Sequence, residues 1–230
     1  IVVRALANDA KLIGDGVGGA RVRIRHGESG ALLAEGVTRG GTGDTGLIMG
    51  PRERAATVFD TPGAAAFATS LAIREPTPIE VEVEAPLGTP HALQRASTSL
   101  VLLPGVHFEG EGLVVPLHGF TLRLVEPLAE LAVGTEVTLE LHAEMLCGCP
   151  LTPGGLWDSD SIEFDVALVA DDGRRGATGS LTFAGEPSRF TLSLTVPEQL
   201  PGQNWNLRVT AADAGRLNTG VAVYPVTLVR

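Results

Sequence analysis

At 230 residues the chain has room for one large β domain or two small ones. Its 44% hydrophobic content supports a packed core and excludes wholesale disorder, while 29 glycines and 15 prolines without a Gly-X-Y period exclude collagen. A net charge of −10, with sixteen arginines and the single lysine Lys11, excludes nucleic acid and anionic membrane surfaces as partners, because both need clustered basic residues.

Aromatic residues make up only 4%, so the core is expected to be Val, Leu, Ile and Ala. No apolar run reaches the length of a transmembrane helix, so no membrane insertion is expected. A start at Ile1 rather than Met fits either a removed signal peptide or a trimmed sequence. With many turn residues and scarce lysine, the reading is a secreted or periplasmic β protein.

In chain order, IVVRALANDAKLI holds a strand at residues 2–6, and GDGVGG is a turn cluster. ARVRIRH at 20–26 alternates apolar and basic residues at period two, the pattern of a half-buried strand. GESG turns the chain, and ALLAEGVT at 31–38 returns it. The run G-x-x-V-x-G-A-x-V-x-I, followed by G-x-L-L-A-E-G-V-T, resembles the transthyretin-like modules of secreted bacterial proteins and carboxypeptidase regulatory domains. The resemblance spans about residues 10–105 and implies a small seven-stranded sandwich with no activity of its own.

Residues 39–63 form a long Gly-rich loop, a kind that is usually functional or mobile. Strands are expected at 65–73, 79–85 and 96–103, and the prolines of EPTPIEVEVEAP suggest an edge strand. The Gly- and Pro-rich stretch from Pro104 to Gly119 reads as a junction, giving domains at 1–104 and 119–230 with a linker at 105–118. From Phe120 seven more alternating runs follow, at 120–125, 136–144, 161–170, 179–184, 188–196, 204–211 and 221–229, with a hairpin turn at DDGRRG. This half looks like an immunoglobulin or fibronectin-type sandwich, although it lacks the Cys…Trp…Cys spacing because both cysteines share one loop. The expected fold class is all-β, with two antiparallel β-sandwich domains.

Two G-x-G-x-x-G matches, at Gly14-Gly16-Gly19 and Gly41-Gly43-Gly46, read as turns. The first runs into a strand, and the second meets Gly50 and Pro51, so neither opens a long helix for a pyrophosphate. No nucleophile elbow and no H-E-x-x-H occurs, so a non-enzymatic role is expected.

The soft-ligand chemistry is concentrated in H-x-x-M-x-C-x-C-P: His142, Met145, Cys147 and Cys149. Thioether, thiolate and imidazole suit Cu(I), which makes copper the candidate cofactor. A local Cys147–Cys149 disulfide competes with this reading, as do buried free thiols and pairing with another subunit. Asp158, Asp160 and Glu163 fail the EF-hand pattern, which leaves calcium only as a looser site that includes Asp213. Trp157, Asp158, Asp160 and Met49 are candidate contacts for a ligand or partner.

Two functions from different classes follow. One is a secreted or periplasmic binding or accessory protein, with copper at the Met145-Cys147-Cys149 loop. The alternative is a structural or assembly subunit of a filament, sheath or adhesion component, in which a protein partner or self-association is expected. The apolar strand at residues 1–6 either completes its own sheet or is donated to a neighbour's open edge.

Overall fold

In the computed structural model, which describes residues 1–230, the chain forms sixteen strands in four sheets, most of them on the period-two runs. The chain divides into two compact units, one of residues 1–119 with 146–149, the other of residues 120–145 with 150–230.

The first unit sets a four-stranded sheet against a three-stranded one. The four-stranded sheet runs β3 (Leu32–Val37), β2 (Arg21–His26), β5 (Thr77–Ala85), β6 (Gln94–Leu102), all antiparallel. The three-stranded sheet runs β4 (Phe67–Ala68), β1 (Val2–Ala7), β7 (Leu113–Leu117). Val22, Ile24, Ile79, Val81 and Val83 from one sheet, and Val3, Ala5, Val115 and Leu117 from the other, are all buried. Each large side chain so buried contributes about 1.5–3 kcal/mol.

β5 is a central strand, not the edge its prolines suggested. Pro76 precedes it and Pro78 is its second residue, so the missing N–H falls at the end of the ladder, where it is tolerated. Its wet face finds a partner in β2. The register sets Arg21, Arg23 and Arg25 opposite Glu84, Glu82 and Glu80. Arg21 reaches Glu84 at 2.8 Å, Arg23 reaches Glu82 and Glu35 at 3.1 Å, and Arg95 of β6 reaches Glu84 at 3.1 Å. Exposed pairs are worth about 0–1 kcal/mol each, so this ladder acts mainly on register. A slip of one residue would turn every arginine into the core.

The Gly-rich loop is built, not loose. Within it α1 (Thr45–Met49) starts where the Asp44 side chain accepts from Leu47 N–H at 2.9 Å. Its Ile48 joins Leu12, Val58, Phe59 and Ala65 in a small core, with Met49 packed alongside. The Asp44 carboxylate stands at the helix start, where a phosphate would have to bind. The second glycine match thus runs into a five-residue helix whose start is already capped, and the first is a turn that leads through Gly18 (φ +82) toward β2.

Arg4, on β1, is 4% exposed. Its guanidinium donates to Asp60 Oδ1 at 2.7 Å and to the carbonyls of Ala64, Ala65, Gly110 and Glu111 at 3.0–3.3 Å. Glu111 in turn accepts from the N–H groups of Val58, Phe59 and Asp60 at 2.8, 2.8 and 3.1 Å. Burial pushes the Glu111 carboxyl up, but the three backbone donors and the Arg4 charge outweigh it and hold it below its ordinary range.

The second unit pairs a four-stranded sheet with a five-stranded one. One runs β13 (Thr182–Phe183), β14 (Arg189–Thr195), β10 (Glu136–Met145), β8 (Phe120–Leu124). The other runs β12 (Arg175–Ser180), β11 (Glu163–Val169), β15 (Asn204–Asp213), β16 (Asn218–Val229), β9 (Glu130–Ala132). Phe164 and Phe190 stack across the core at 4.3 Å between centroids, and Phe183 meets Phe190 edge-on. Tyr224 of β16 ties the sheets together: its hydroxyl accepts from Leu124 N–H of β8 at 2.9 Å.

The fold is all-β and largely antiparallel, with two exceptions. β1 pairs with β7 in parallel, and β9 pairs with β16 in parallel. Both partners are joined through long detours that include other strands, which is the connection parallel pairing requires. The stretch expected as linker thus contains a strand, β7. Strand β1 lies in the middle of its own sheet with Val3, Ala5 and Ala7 buried, so it completes its own domain and is not free for a neighbour.

Candidate functional site

Strand β10 carries the first two candidate ligands. Its alternation buries Leu139, Leu141, Ala143 and Met145 and turns Glu140, His142 and Glu144 to the other face. His142 Nε2 lies 2.9 Å from Glu144 Oε1 on that face. Met145 is 3% exposed and points the opposite way, so the thioether and the imidazole do not converge.

After Met145 the chain leaves β10 and returns at Pro150, which bridges to Glu144. The excursion, residues 146–149, belongs to the first compact unit. Leu146, Cys147 and Cys149 are buried. Gly148 takes φ +75 and lies so close to Val17 that a Cβ there would meet the Val17 side chain at 2.9 Å, so glycine is required twice over.

Cys147 and Cys149 are bonded to each other as a disulfide, and the chain has no free cysteine. This corrects the copper expectation. Soft-metal binding there needs thiolates, and both sulfurs are already consumed in a bond. His142 and Met145 supply no alternative, since they occupy opposite faces of one strand. No group of three or more His, Cys, Asp and Glu side chains gathers anywhere in the chain.

The acidic candidates are likewise committed to local structure. The Asp158 carboxylate accepts from Gly154 N–H at 2.7 Å and Asp160 N–H at 3.0 Å, closing the loop. The Asp160 bond, then the Gly154 bond, lowers its carboxyl below the ordinary range. Asp213, 5% exposed, takes Arg216 through both its backbone N–H and its guanidinium, at 3.1 and 3.0 Å. Asp158 takes both of its bonds through Oδ1, whereas Asp213 is engaged at both oxygens and already holds the Arg216 cation. Asp160 itself is exposed, and Trp157 is half-buried beside the exposed Leu156. Met49 packs on the small core of the Gly-rich loop.

The residues that organise the first unit, Arg4, Asp60 and Glu111, were not singled out by sequence reasoning. A signal existed for one of them. Arg4 interrupts the apolar strand VVRALA, where both neighbours are buried, and a charge in such a place must be paired.

The chain matches no protein-family model and no curated protein. Among solved structures it is similar to domains 4 and 5 of the S-layer protein SbsC at 14% identity and TM-score 0.29, covering 67% of this chain and 66% of that one. It is also similar to an ICAM-5 ectodomain fragment at 18% identity and TM-score 0.32, covering 92% of this chain and 45% of that one. The cadherin-like domains of zebrafish RET match at 11% identity and TM-score 0.22, covering 91% of this chain and 40% of that one. The chain thus spans less than two-thirds of the length of each. Likenesses this distant carry no weight for activity or partner, and they give the transthyretin-like resemblance no support.

Proposed function

We propose that this chain is a non-enzymatic structural module of an extracellular assembly. The observation that carries the reading is where its chemistry-bearing side chains are spent. Cys147 and Cys149 are joined to each other, His142 contacts Glu144, Asp158 closes its own loop, Asp213 holds Arg216, and Arg4 and Glu111 hold the Gly-rich loop. Each is engaged in holding β-sandwich framework together. The disulfide supports an oxidising, extracytoplasmic setting, where such bonds form and persist.

The test is the solution mass of the purified chain, read by sedimentation across the micromolar to millimolar range and followed by electron microscopy. Species larger than the 23.9 kDa chain are expected, growing with concentration. A chain that stays monomeric throughout and forms no ordered object would defeat the reading.

A further inference from the structure

The four sheets have eight edge strands, and seven are either five residues or fewer in length or interrupted by a register shift. β4 and β13 have two residues each, β9 has three, and β7 and β8 have five. β3 and β12 have six, and a register shift interrupts the ladder of each with its neighbour. Short edges and bulges are the usual guards against edge-to-edge association. β6 is the exception. It runs nine residues, pairs with β5 without interruption, and contains no proline and no lysine. On its other side its backbone makes no hydrogen bond to any other segment.

We propose that β6 is a self-association edge, pairing antiparallel with β6 of a second copy of this chain. The inference rests on the assembly reading above and gives it a surface. The strand QRASTSLVL is self-complementary about Thr98. Only the register centred there pairs all nine residues. It sets Arg95 opposite Val101, Ala96 opposite Leu100, Ser97 opposite Ser99, and Thr98 opposite Thr98. No like charges meet, and Thr–Thr and Ser–Ser neighbours are favourable cross-strand pairs. The two half-buried apolar residues of the inner face, Ala96 and Leu100, cover each other, and Val101, 54% exposed, gains the stem of Arg95. The strand itself has no carboxylate in a chain of net charge −10, so its own side chains set no negative charges against each other when two copies meet. A second copy is therefore the occupant whose chemistry fits. A strand edge is small beside a standard interface, so the pairing is concentration-dependent.

Ser97 and Ser99 are exposed, next to Glu82 and Glu80 of β5, so charged side chains fit there without disturbing the core. In the full-length chain, Ser97→Lys with Ser99→Lys places lysine opposite lysine twice across the proposed pair. Ser97→Glu with Ser99→Lys places glutamate opposite lysine twice. Sedimentation equilibrium is expected to show the wild type passing toward twice 23.9 kDa as concentration rises. The dissociation constant should rise roughly tenfold or more in the double-lysine variant and stay equal or fall in the Glu/Lys variant. Circular dichroism verifies that both variants are folded. If the wild type associates and the double-lysine variant associates equally well, the assembly reading stands and β6 is not the edge. If the association is lost equally in both variants, the centred register is wrong. A wild type that remains monomeric across the range overturns both the edge and the assembly reading.

Discussion

Glu111 shows how one side chain can order a long loop. Its two carboxylate oxygens accept three consecutive backbone N–H groups, those of Val58, Phe59 and Asp60. Glu111→Gln presents an amide N–H to one of those donors, so it should cost about 1–2 kcal/mol by urea denaturation. The pH dependence has a definite sign. The folded-state value is lowered, so the stabilisation is complete above the ordinary carboxyl range and is lost as pH falls through the lower folded value. Wild-type stability should decline on that acid limb, and the decline should be shallower in Glu111→Gln. Arg4 is the second hub. Arg4→Met keeps the apolar stem but strands the carbonyls of Ala64, Ala65, Gly110 and Glu111. Asp60 is 48% exposed and rehydrates, so the expected loss is about 2–3 kcal/mol in the same measurement.

At the scale of elements, the latch between β8 and β16 depends on a single hydroxyl. Tyr224→Phe leaves Leu124 N–H without its acceptor and keeps the ring in place. A loss of about 1 kcal/mol is expected, seen as a lower urea midpoint with an unchanged slope. β3 lies on Phe67 of β4 by omitting a side chain: a Cβ at Gly36 would run into the Phe67 ring. The matched charges of β2 and β5 show how two strands select one register. In each, every second residue is charged, with opposite sign, and the residues between are buried. The alternation was visible in ARVRIRH and IEVEVEA as two strands with one charged face each. Which strand met which was not.

For the whole molecule, the disulfide sets the redox expectation. Protein purified without reductant and then unfolded should show no thiol to Ellman's reagent, and two per chain after reduction. Cys147→Ser with Cys149→Ser removes a very short covalent loop, so chain-entropy reasoning gives a loss of only about 1–2 kcal/mol. The β circular dichroism spectrum should be retained. A larger loss, or unfolding, would mean that the buried segment 146–149 contributes well beyond its cross-link.

The sequence by itself determined the fold class and most strand positions, because a period of two is a local property of the chain that burial of one face enforces. It placed the turns for the same reason: Gly173 in DDGRRG takes φ +85, a conformation glycine adopts without strain. It also gathered His142, Met145, Cys147 and Cys149 into one short stretch, a set of ligand types that suits a soft metal. Tertiary structure decided otherwise. Strand geometry sent Met145 and His142 to opposite faces, and the two sulfurs reacted with each other. β7 and β9 are too short or too irregular in pattern to be read locally, and β1 and β16 supply the ladders that make them strands, while of the strand expected at 65–73 only β4, two residues long, pairs with β1. The Arg4–Asp60–Glu111 network joins residues more than fifty positions apart, and only folding brings such groups within hydrogen-bonding reach.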